Sequence, residues 1–258
     1  MEYDLIIIGA GPAGYVGAIR AGQAGLRTAI IEKKHVGGMC LNWGCIPSKA
    51  MLESAKYFSR LSQASDFGID GIDLKTVSFN WEKAVKRSDR IVRRLTKGVE
   101  YLLKKHKVDL ITGTASVEGP DTVVVENRKL TAKNIIIATG SYPRPLPFKM
   151  HENKILNLEN FFSLKEIPRK LLVVGEGPVA AEVTQLLALT GRDITLLKTA
   201  PRIFPALDDY LNNFITRRFE SMKIKIIEVT GGYDNLSTDE YEGVVNCMPR
   251  KGIHPTGS

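Results

Sequence analysis

The sequence has few of the residues that build metal centres, and it has no long apolar stretch. It contains three cysteines and four histidines, and no second pair of candidate ligands accompanies Cys40 and Cys45, whereas a structural zinc site takes four ligands. No metal site is therefore predicted. No run approaches the roughly 18 apolar residues of a membrane helix, so no membrane span is predicted. No basic region, apolar core and cleavage site precede the apolar strand at Tyr3, so we expect no signal peptide and a cytoplasmic protein, in which a disulfide is more often catalytic than structural.

The excess of positive charge is concentrated in one segment. The net charge is +8, and ten lysines and arginines lie between Lys83 and Lys107. Apolar residues recur there at helical spacing, namely Val85, Ile91, Val92, Leu95, Val99, Leu102 and Leu103. We interpret the segment as a long amphipathic helix with a solvated basic face, and a docking surface for an acidic partner is the alternative. Neither nucleic acid nor a membrane is expected as a partner.

Two of the cysteines stand five positions apart, in the run Gly37-Gly38-Met39-Cys40-Leu41-Asn42-Trp43-Gly44-Cys45-Ile46-Pro47-Ser48-Lys49. On a regular helix such residues point about 140° apart and lie beyond the roughly 7 Å limit for a disulfide. A bond between Cys40 and Cys45 therefore needs a contracted turn, for which Gly44 supplies backbone freedom. Pro47 suits the first turn of a following helix, which would place Cys45 near the positive helix end that favours a thiolate. The pattern favours a disulfide that is made and broken during turnover, and the alternatives are two unrelated buried cysteines or half of a metal site.

The N-terminal segment has the pattern of a dinucleotide-binding site. An apolar strand over Asp4–Ile8 leads into Gly9-Ala10-Gly11-Pro12-Ala13-Gly14, a helix to about Ala24 and a second strand that ends on Glu32. In this fingerprint the first glycine permits the tight turn, the second lets the backbone approach a pyrophosphate, and the third lets helix and strand pack closely. The helix N-terminus faces the phosphates, and the acid can accept hydrogen bonds from a ribose diol. The segment therefore predicts a dinucleotide site.

A second copy of the pattern occurs later in the chain. A strand over Lys170–Val174 leads to Gly175-Glu176-Gly177-Pro178-Val179-Ala180, a helix and a strand over Asp193–Leu197. Alanine replaces the third glycine, which the motif tolerates. Lys198 stands where the acid is expected. It cannot accept hydrogen bonds from a ribose diol, so it is interpreted either as a contact to a 2′-phosphate or as a solvated lysine at a strand end.

The two fingerprints predict an α/β protein with two Rossmann-like dinucleotide-binding domains. Between them we expect a continuation of the cysteine helix over Ser54–Gln63, a loop over Asp66–Thr76 and a long helix over Trp81–Lys105. These are followed by a strand over Val108–Thr112, a small antiparallel β excursion over Val123–Arg128 and a buried strand over Asn134–Gly140. The proline-rich stretch Tyr142–Pro147 cannot continue a sheet. The predicted domains are therefore residues 1–147, with the cysteine pair, and residues 148–258.

Together these motifs resemble the flavin-dependent pyridine nucleotide–disulfide oxidoreductases. The resemblance runs from Tyr3 to about Ile227, and the cysteine segment looks most like that of the dihydrolipoamide dehydrogenases. Glutathione and mercuric reductases share the cysteine spacing with different residues between. The resemblance implies FAD on the first domain and NAD or NADP on the second.

The resemblance also implies roles for particular residues. Cys45 would face the flavin and form a charge-transfer complex, and Cys40 would exchange with the substrate. Lys49 would pair with Glu182 beside the hydride-accepting nitrogen, where a cation stabilises charge on reduced flavin. The implied FAD-binding residues are Gly9, Gly11, Pro12, Ala13, Gly14, Glu32, Lys33, Gly38, Met39, Cys40, Lys49, Gly113, Thr114, Ala115, Ala138, Thr139 and Gly140. The implied NAD(P)-binding residues are Gly175, Gly177, Pro178, Val179 and Lys198.

The chain departs from this family towards its C-terminus. It is shorter than the family's roughly three-domain chains, and it lacks the second flavin-contacting segment and the dimerisation domain that supplies a His–Glu pair in these homodimers. Val244–Arg250 only loosely resembles the strand that returns to the flavin domain. His254-Pro255-Thr256 echoes the family's catalytic base at the wrong position and is interpreted as an accidental tail histidine. Cys247 is interpreted as a core cysteine.

The predicted function is electron transfer between a dihydrolipoamide-like dithiol, the cysteine pair, FAD and NAD(P). An NADPH-dependent disulfide or metal-ion reductase is one alternative, because one interpretation of Lys198 is a contact to the 2′-phosphate of NADPH. A truncated, non-catalytic nucleotide-binding fragment is the other. By resemblance alone, a 2-oxo-acid dehydrogenase complex is the expected protein partner.

Overall fold

The computed structural model describes residues 1–229, 232–233 and 236–255. In chain order the first elements are β1 (Tyr3–Ile8), α1 (Pro12–Gln23), β2 (Thr28–Glu32), α2 (Gly38–Asn42), α3 (Cys45–Arg60), α4 (Trp81–Lys105), β3 (Asp109–Thr112), β4 (Ala115–Val117), β5 (Thr122–Val125), β6 (Arg128–Ile137) and β7 (Ser141–Pro143). They are followed by β8 (Ile155–Asn157), α5 (Leu158–Phe161), β9 (Lys170–Gly175), α6 (Gly177–Leu189), β10 (Asp193–Lys198), α7 (Asp209–Ser221), β11 (Lys225–Glu228), β12 (Gly243–Cys247) and β13 (Arg250–Gly252). Short 3₁₀ helices cover Leu61–Phe67 and Glu152–Lys154.

The chain divides into two compact units that are not continuous in sequence. The first contains residues 1–46, 90–142 and 251–258, and the second contains residues 47–89 and 143–250. The first glycine motif lies in the first unit and the second motif in the second unit. The boundaries of these two units differ from the predicted domain boundary at residue 147. The functional domains stay a prediction.

The first unit contains a six-stranded sheet in the order β3-β2-β1-β6-β5-β4. The strands β3, β2 and β1 and the end of β6 are parallel, with Ile8 opposite both Ile31 and Ile137. The start of β6 pairs antiparallel with β5 as the predicted hairpin. The parallel strands therefore bring Gly9, Glu32 and Ala138 to the same edge of the sheet.

Both faces of β1 are covered, which explains its continuous apolar sequence. Leu5 and Ile7 share one buried cluster with residues of α1 and α4. Ile6 and Ile8 share a second buried cluster with residues of the antiparallel excursion. The predicted amphipathic helix α4 contributes Val99 and Leu103 to the first of these clusters.

One stretch of this sheet is uncovered. Between Asn134 and Ile137, β6 pairs with β1 on one side, and within the described residues no strand pairs with it on the other. Ile136 is 44% exposed and Ile137 is 55% exposed. This apolar edge is unusual because exposed sheet edges normally carry charge, proline or a covering segment.

The second unit contains a five-stranded parallel sheet in the order β11-β10-β9-β12-β8. Leu171–Val174 of β9 is fully buried, and α6 packs on this sheet through Ala180, Val183 and Leu187. A row of aromatic rings supports the same unit, with Trp81 and Phe161 at 5.6 Å and Phe161 and Phe162 at 5.0 Å between centroids.

Four details differ from the sequence predictions. The strand predicted as buried over Asn134–Gly140 leaves Ile136 and Ile137 exposed. The cysteine helix begins at Cys45 rather than near Pro47. Residues Gly243–Cys247, which only loosely resembled a returning strand, form a buried strand in the second sheet, where Val245 lies opposite Val173. Ser141–Pro143 is a short strand that pairs with β13 in a two-stranded sheet, because proline at the end of a strand removes no ladder donor that the strand needs. Within the described residues, no helix is both long enough and apolar enough to cross a membrane.

Candidate redox and dinucleotide sites

The first glycine turn is built so tightly that side chains are excluded from it. Gly9 has φ of +101°, and a Cβ added there would lie 2.3 Å from the carbonyl oxygen of Ala138. A Cβ on Gly14 would lie 1.8 Å from the carbonyl oxygen of Gly9. At Gly11 the nearest neighbour of an added Cβ is the Cα of Gly38, at 3.9 Å. The turn is therefore closed at its first and third glycines and roomier at the second, where a dinucleotide's phosphates approach the backbone.

The cysteine segment is attached directly to this turn. The N–H of Gly37 donates to the carbonyl of Ala10 at 2.8 Å. Gly38 has φ of +56°, and a Cβ there would lie 2.7 Å from the Cα of Gly11. A side chain at Gly38 would push the two segments apart. These two glycines thus hold the start of α2, and with it Met39 and Cys40, against the turn.

The contracted connection between the cysteines is present. Helix α2 ends at Asn42, whose side-chain amide donates to the carbonyls of Val36 and Gly38 at 3.0 and 2.9 Å. At Gly44 an added Cβ would lie 3.0 Å from the carbonyl oxygen of Met39. The backbone therefore folds back on itself before α3 begins at Cys45.

The three cysteines differ in their exposure. Cys40 is half-buried and packs against the core cluster that contains Leu41, whereas Cys45 is exposed at the start of α3. Burial, together with the nearby charges of Cys40 and Cys45, raises the pKa of Tyr15. Tyr15 and Cys40 pack against the same buried cluster. Cys247 is buried in β12, and burial raises the pKa of its thiol well above the usual range, in agreement with a core cysteine.

Glu32 stands at the end of β2, where backbone N–H groups orient its carboxylate. Its carboxylate accepts from the N–H groups of Ala10 at 2.8 Å, Lys34 at 2.9 Å and His35 at 3.2 Å. It borders a cavity of about 190 Å³. The cavity is lined by Ile8, Gly9, Ile31, Glu32, Lys33, Gly113, Thr114, Ala115, Thr139, Ile253, His254 and Pro255. The structure thus brings together Glu32, Lys33, Gly113, Thr114, Ala115 and Thr139, which the resemblance assigned to FAD.

Sequence reasoning missed one wall of this cavity. Ile253 accepts a hydrogen bond from the hydroxyl of Thr139 at 2.5 Å and donates its N–H to the carbonyl of Gly140 at 2.9 Å. His254 and Pro255 continue this wall, while Thr256 of the His-Pro-Thr echo lies outside the described residues. Nothing in the local pattern of the tail signals this return to the first sheet.

The residues of the first unit fit an adenine dinucleotide. Two glycines leave no room for a Cβ, and an oriented carboxylate borders a cavity at the carboxyl ends of parallel strands, which is where nucleotides bind in open α/β sheets. Gly9, Gly11, Pro12, Ala13 and Gly14 would approach the phosphates. Glu32 would accept from a ribose.

The predicted pair of Lys49 and Glu182 is formed within the second unit. The Nζ of Lys49 lies 2.7 Å from both carboxylate oxygens of Glu182, and the hydroxyl of Ser48 donates to the same carboxylate at 3.3 Å. The side chains are 58% and 32% exposed. Exposed ion pairs stabilise little, so this bidentate arrangement does more to orient the ammonium than to hold the fold.

The second glycine turn resembles the first in its backbone. Gly175 has φ of +143°, and a Cβ there would lie 2.2 Å from the carbonyl oxygen of Cys247. Gly177 has φ of +76° with open space around it. In the first turn of α6, Pro178 is exposed, Val179 is half-buried and Ala180 is fully buried. The N–H of Gly177 donates to the carbonyl of Ile203 at 2.5 Å, so a pyrophosphate would have to displace that carbonyl.

Charged side chains around the second turn are paired in ways the sequence did not reveal. The Nζ of Lys198 lies 2.8 Å from the carboxylate of Glu228 and 2.6 Å from the carbonyl of Pro201. The carboxylate of Glu176 accepts a hydrogen bond from the hydroxyl of Thr199. Burial raises the pKa of Glu176, opposed by the field of Arg144. An acid directly after the first glycine was visible in the sequence and could have marked Glu176.

Asn212 fixes the segment that follows β10. Its buried side-chain amide donates to the carbonyls of Phe204, Leu207 and Asp208 and accepts from the N–H of Phe204, at 2.9 to 3.1 Å. Replacing Asn212 with alanine leaves these groups unsatisfied, so we expect a loss of about 1–3 kcal/mol in the free energy of unfolding. Urea unfolding followed by circular dichroism measures it, with Asn213→Ala on the exposed face of α7 as the control. A loss below about 0.5 kcal/mol would contradict this role.

Comparison with known proteins agrees with the geometry. Residues 3–240 match the family model described as pyridine nucleotide-disulphide oxidoreductase. The dihydrolipoyl dehydrogenase of Chlorobaculum tepidum is 38% identical over 93% of this chain and 51% of its own length. That of Zymomonas mobilis is 36% identical over 94% and 52%, and that of Acholeplasma laidlawii is 39% identical over 81% and 63%.

The chain spans about half the length of the first two relatives. The match of the family model nevertheless covers both glycine motifs and the cysteine pair. Enzymes of this kind use FAD and NAD(P). The chain belongs to the pyridine nucleotide-disulphide oxidoreductase family.

Proposed function

We propose that the chain passes electrons between a dihydrolipoamide-like dithiol, the Cys40–Cys45 pair, FAD and NAD(P). The observation that carries the proposal is the attachment of the cysteine segment to the first glycine turn, through the Gly37–Ala10 hydrogen bond and the close packing of Gly38 on Gly11. A redox-active pair and a dinucleotide cradle are thus neighbours within one unit. The predicted functional domains, residues 1–147 and 148–258, are part of this proposal.

The cysteines would perform two-electron exchange with the substrate. In the oxidised pair, a substrate thiolate attacks the sulfur of Cys40, the S–S bond breaks, and Cys45 leaves as a thiolate. The second substrate thiol then displaces Cys40, so that the substrate leaves as a disulfide and two electrons stay on the cysteine pair. Cys45 opens helix α3, whose positive end favours the thiolate. FAD, when bound, supplies the route by which an electron pair passes on as hydride to a nicotinamide.

Tyr15 is placed to interact with this chemistry. Its pKa is raised by burial and by the two nearby cysteines, so it remains protonated at neutral pH. A neutral phenol can donate a hydrogen bond to a thiolate. It would thus stabilise the reduced pair without carrying charge itself.

Lys49 and Glu182 would act through charge rather than through stability. We expect Glu182→Gln to change the free energy of unfolding by less than about 1 kcal/mol, because the pair is exposed. The same change should slow turnover by roughly tenfold or more, because an unpaired lysine is no longer held in one orientation. Chemical denaturation and steady-state rates, with the exposed Glu220→Gln as the control, test this. Equal effects of both variants on rate would contradict it.

The substrate class, the protein partner and the location are further parts of the proposal. We propose dihydrolipoamide as the substrate class, because three relatives named dihydrolipoyl dehydrogenase are 36–39% identical over 81–94% of this chain. A 2-oxo-acid dehydrogenase complex is the proposed protein partner, and the cytoplasm is the proposed location.

One preparation tests the proposal. The purified protein is given an absorbance scan, an intact-mass measurement and an assay of NADH formation from dihydrolipoamide and NAD⁺. We expect a flavin spectrum and dithiol-dependent NADH formation. A colourless, inactive protein of the expected mass that takes up no added FAD would refute the proposal and favour a non-catalytic nucleotide-binding fragment.

A further inference from the structure

The two glycine motifs of this chain carry their acidic residue at different positions. In the first turn Ala10 follows the leading glycine, and the acid is Glu32 at the end of β2. In the second turn the acid Glu176 follows the leading glycine, and Lys198 ends β10. The acidic residue therefore stands at the strand end in the first motif and in the turn in the second motif.

Both carboxylates nevertheless bridge the same two parts of the motif. Glu32 reaches from the strand end to the turn, where it accepts from the N–H of Ala10 at 2.8 Å. Glu176 reaches from the turn to the strand end, where it accepts from the hydroxyl of Thr199, the residue directly after β10. In each motif an oriented carboxylate thus spans the gap between the turn and the carboxyl end of the second strand, where the ribose diol of a bound dinucleotide is read.

Lys198 is held away from such a role. It lies opposite Glu228 in the parallel register of β10 and β11, and its Nζ is 2.8 Å from that carboxylate. A second bond to the carbonyl of Pro201, at 2.6 Å, uses another of its donors. Its side chain is 16% exposed. Its charge is therefore already paired, and two of its three donors are in use before a 2′-phosphate could bind.

We infer that Glu176 is the specificity-determining residue of the second dinucleotide site, where it accepts hydrogen bonds from the adenosine ribose diol and selects NAD(H) over NADP(H). The inference rests on the proposed function and deepens it. A carboxylate is a good acceptor for two hydroxyls, and it repels a 2′-phosphate. The field of the exposed Arg144 lowers the pKa of Glu176 against the effect of burial, and it thus favours the charged form that accepts from hydroxyls.

Binding also requires an exchange at the turn. The N–H of Gly177 is bonded to the carbonyl of Ile203, and Thr199 belongs to the same segment. Phosphates that take this N–H replace the Ile203 carbonyl, and the ribose takes the acceptor position of Glu176 that the Thr199 hydroxyl occupies. Glu176 itself stays in place because it belongs to the turn.

Direct binding of NADH and NADPH to the full-length purified protein tests the inference. Titrations by isothermal calorimetry compare the wild type with Glu176→Gln, which keeps the size and removes the charge. We expect the wild type to bind NADH at least about tenfold more tightly than NADPH, and Glu176→Gln to reduce this ratio by roughly tenfold, the value of one hydrogen-bonded charge. The matched control, Glu220→Gln on the exposed surface of α7, should leave the ratio unchanged.

The possible failures are distinguishable. If Lys198→Met shifts the ratio and Glu176→Gln does not, Lys198 reads the ribose and the inference is overturned while the proposed function stands. An unchanged ratio in both variants overturns it as well. If the folded wild type binds neither dinucleotide, the second site of the proposed function fails, and the inference fails with it.

Discussion

Replacing Cys45 with serine is expected to lower dihydrolipoamide-dependent NADH formation by roughly 10³-fold or more, because the oxidised pair can no longer form. Long-wavelength absorbance on reduction should also disappear, as the family resemblance implies for a cysteine that faces the flavin. Cys45 is exposed, so the substitution creates no cavity and the free energy of unfolding should change little. Steady-state assays, reductive titration and urea unfolding on one preparation separate these effects.

Cys247 provides the control within the same chain. It is buried in β12, and burial raises the pKa of its thiol, so it should react with a thiol reagent only after unfolding. Cys247→Ala should keep redox turnover, and the reduced native protein should show two reactive thiols. A Cys45→Ser variant that retains turnover and the reduced-state spectrum would contradict the assignment.

Replacing Gly14 with alanine should disrupt the first dinucleotide site and destabilise the first unit. The added Cβ would lie 1.8 Å from the carbonyl oxygen of Gly9, and both atoms belong to the backbone of a tight turn and its helix. Relief requires a backbone shift, so we expect a loss of about 3 kcal/mol or more together with loss of bound flavin. Thermal unfolding and the ratio of flavin to protein absorbance measure the two effects.

Gly98 in the exposed part of α4 is the matched position. Outside its own helix, no atom of the described residues lies within 4 Å of a Cβ added there, so Gly98→Ala should stabilise the protein by about 0.5–1 kcal/mol through helix propensity. The same change from glycine to alanine would then destabilise the protein at Gly14 and stabilise it at Gly98. A Gly14→Ala variant that keeps its flavin and its melting temperature would refute the tight packing of the turn.

Local patterns predicted the elements that carry strong periodicity. Helix α4 begins at Trp81 and ends at Lys105 as predicted, because its apolar residues follow a helical period without interruption. The strand–turn–helix units at both glycine motifs were predicted for a different reason, since the fingerprint requires that order. The pairing of Lys49 with Glu182 was implied by resemblance alone and is present in the structure.

Features that depend on long-range contacts could not be predicted. Residues Gly243–Cys247 form the strand between β9 and β8 in the second sheet, and a short local run carries no information about those partners. The contact of Ile253 with Thr139 joins residues 114 positions apart. The pairing of Lys198 with Glu228 depends on the register of two parallel strands, which the sequence of either strand leaves open.

The uncovered end of β6 has a consequence for the behaviour of the protein in solution. Ile136 and Ile137 combine a strand edge that no described strand pairs with exposed apolar side chains, which is the combination that nucleates intermolecular cross-strand assembly. The charge of Lys133, directly before this stretch, would oppose such assembly, but it is already paired with Asp4. Colloidal stability of a concentrated sample will therefore depend on whether another polypeptide segment seals this edge.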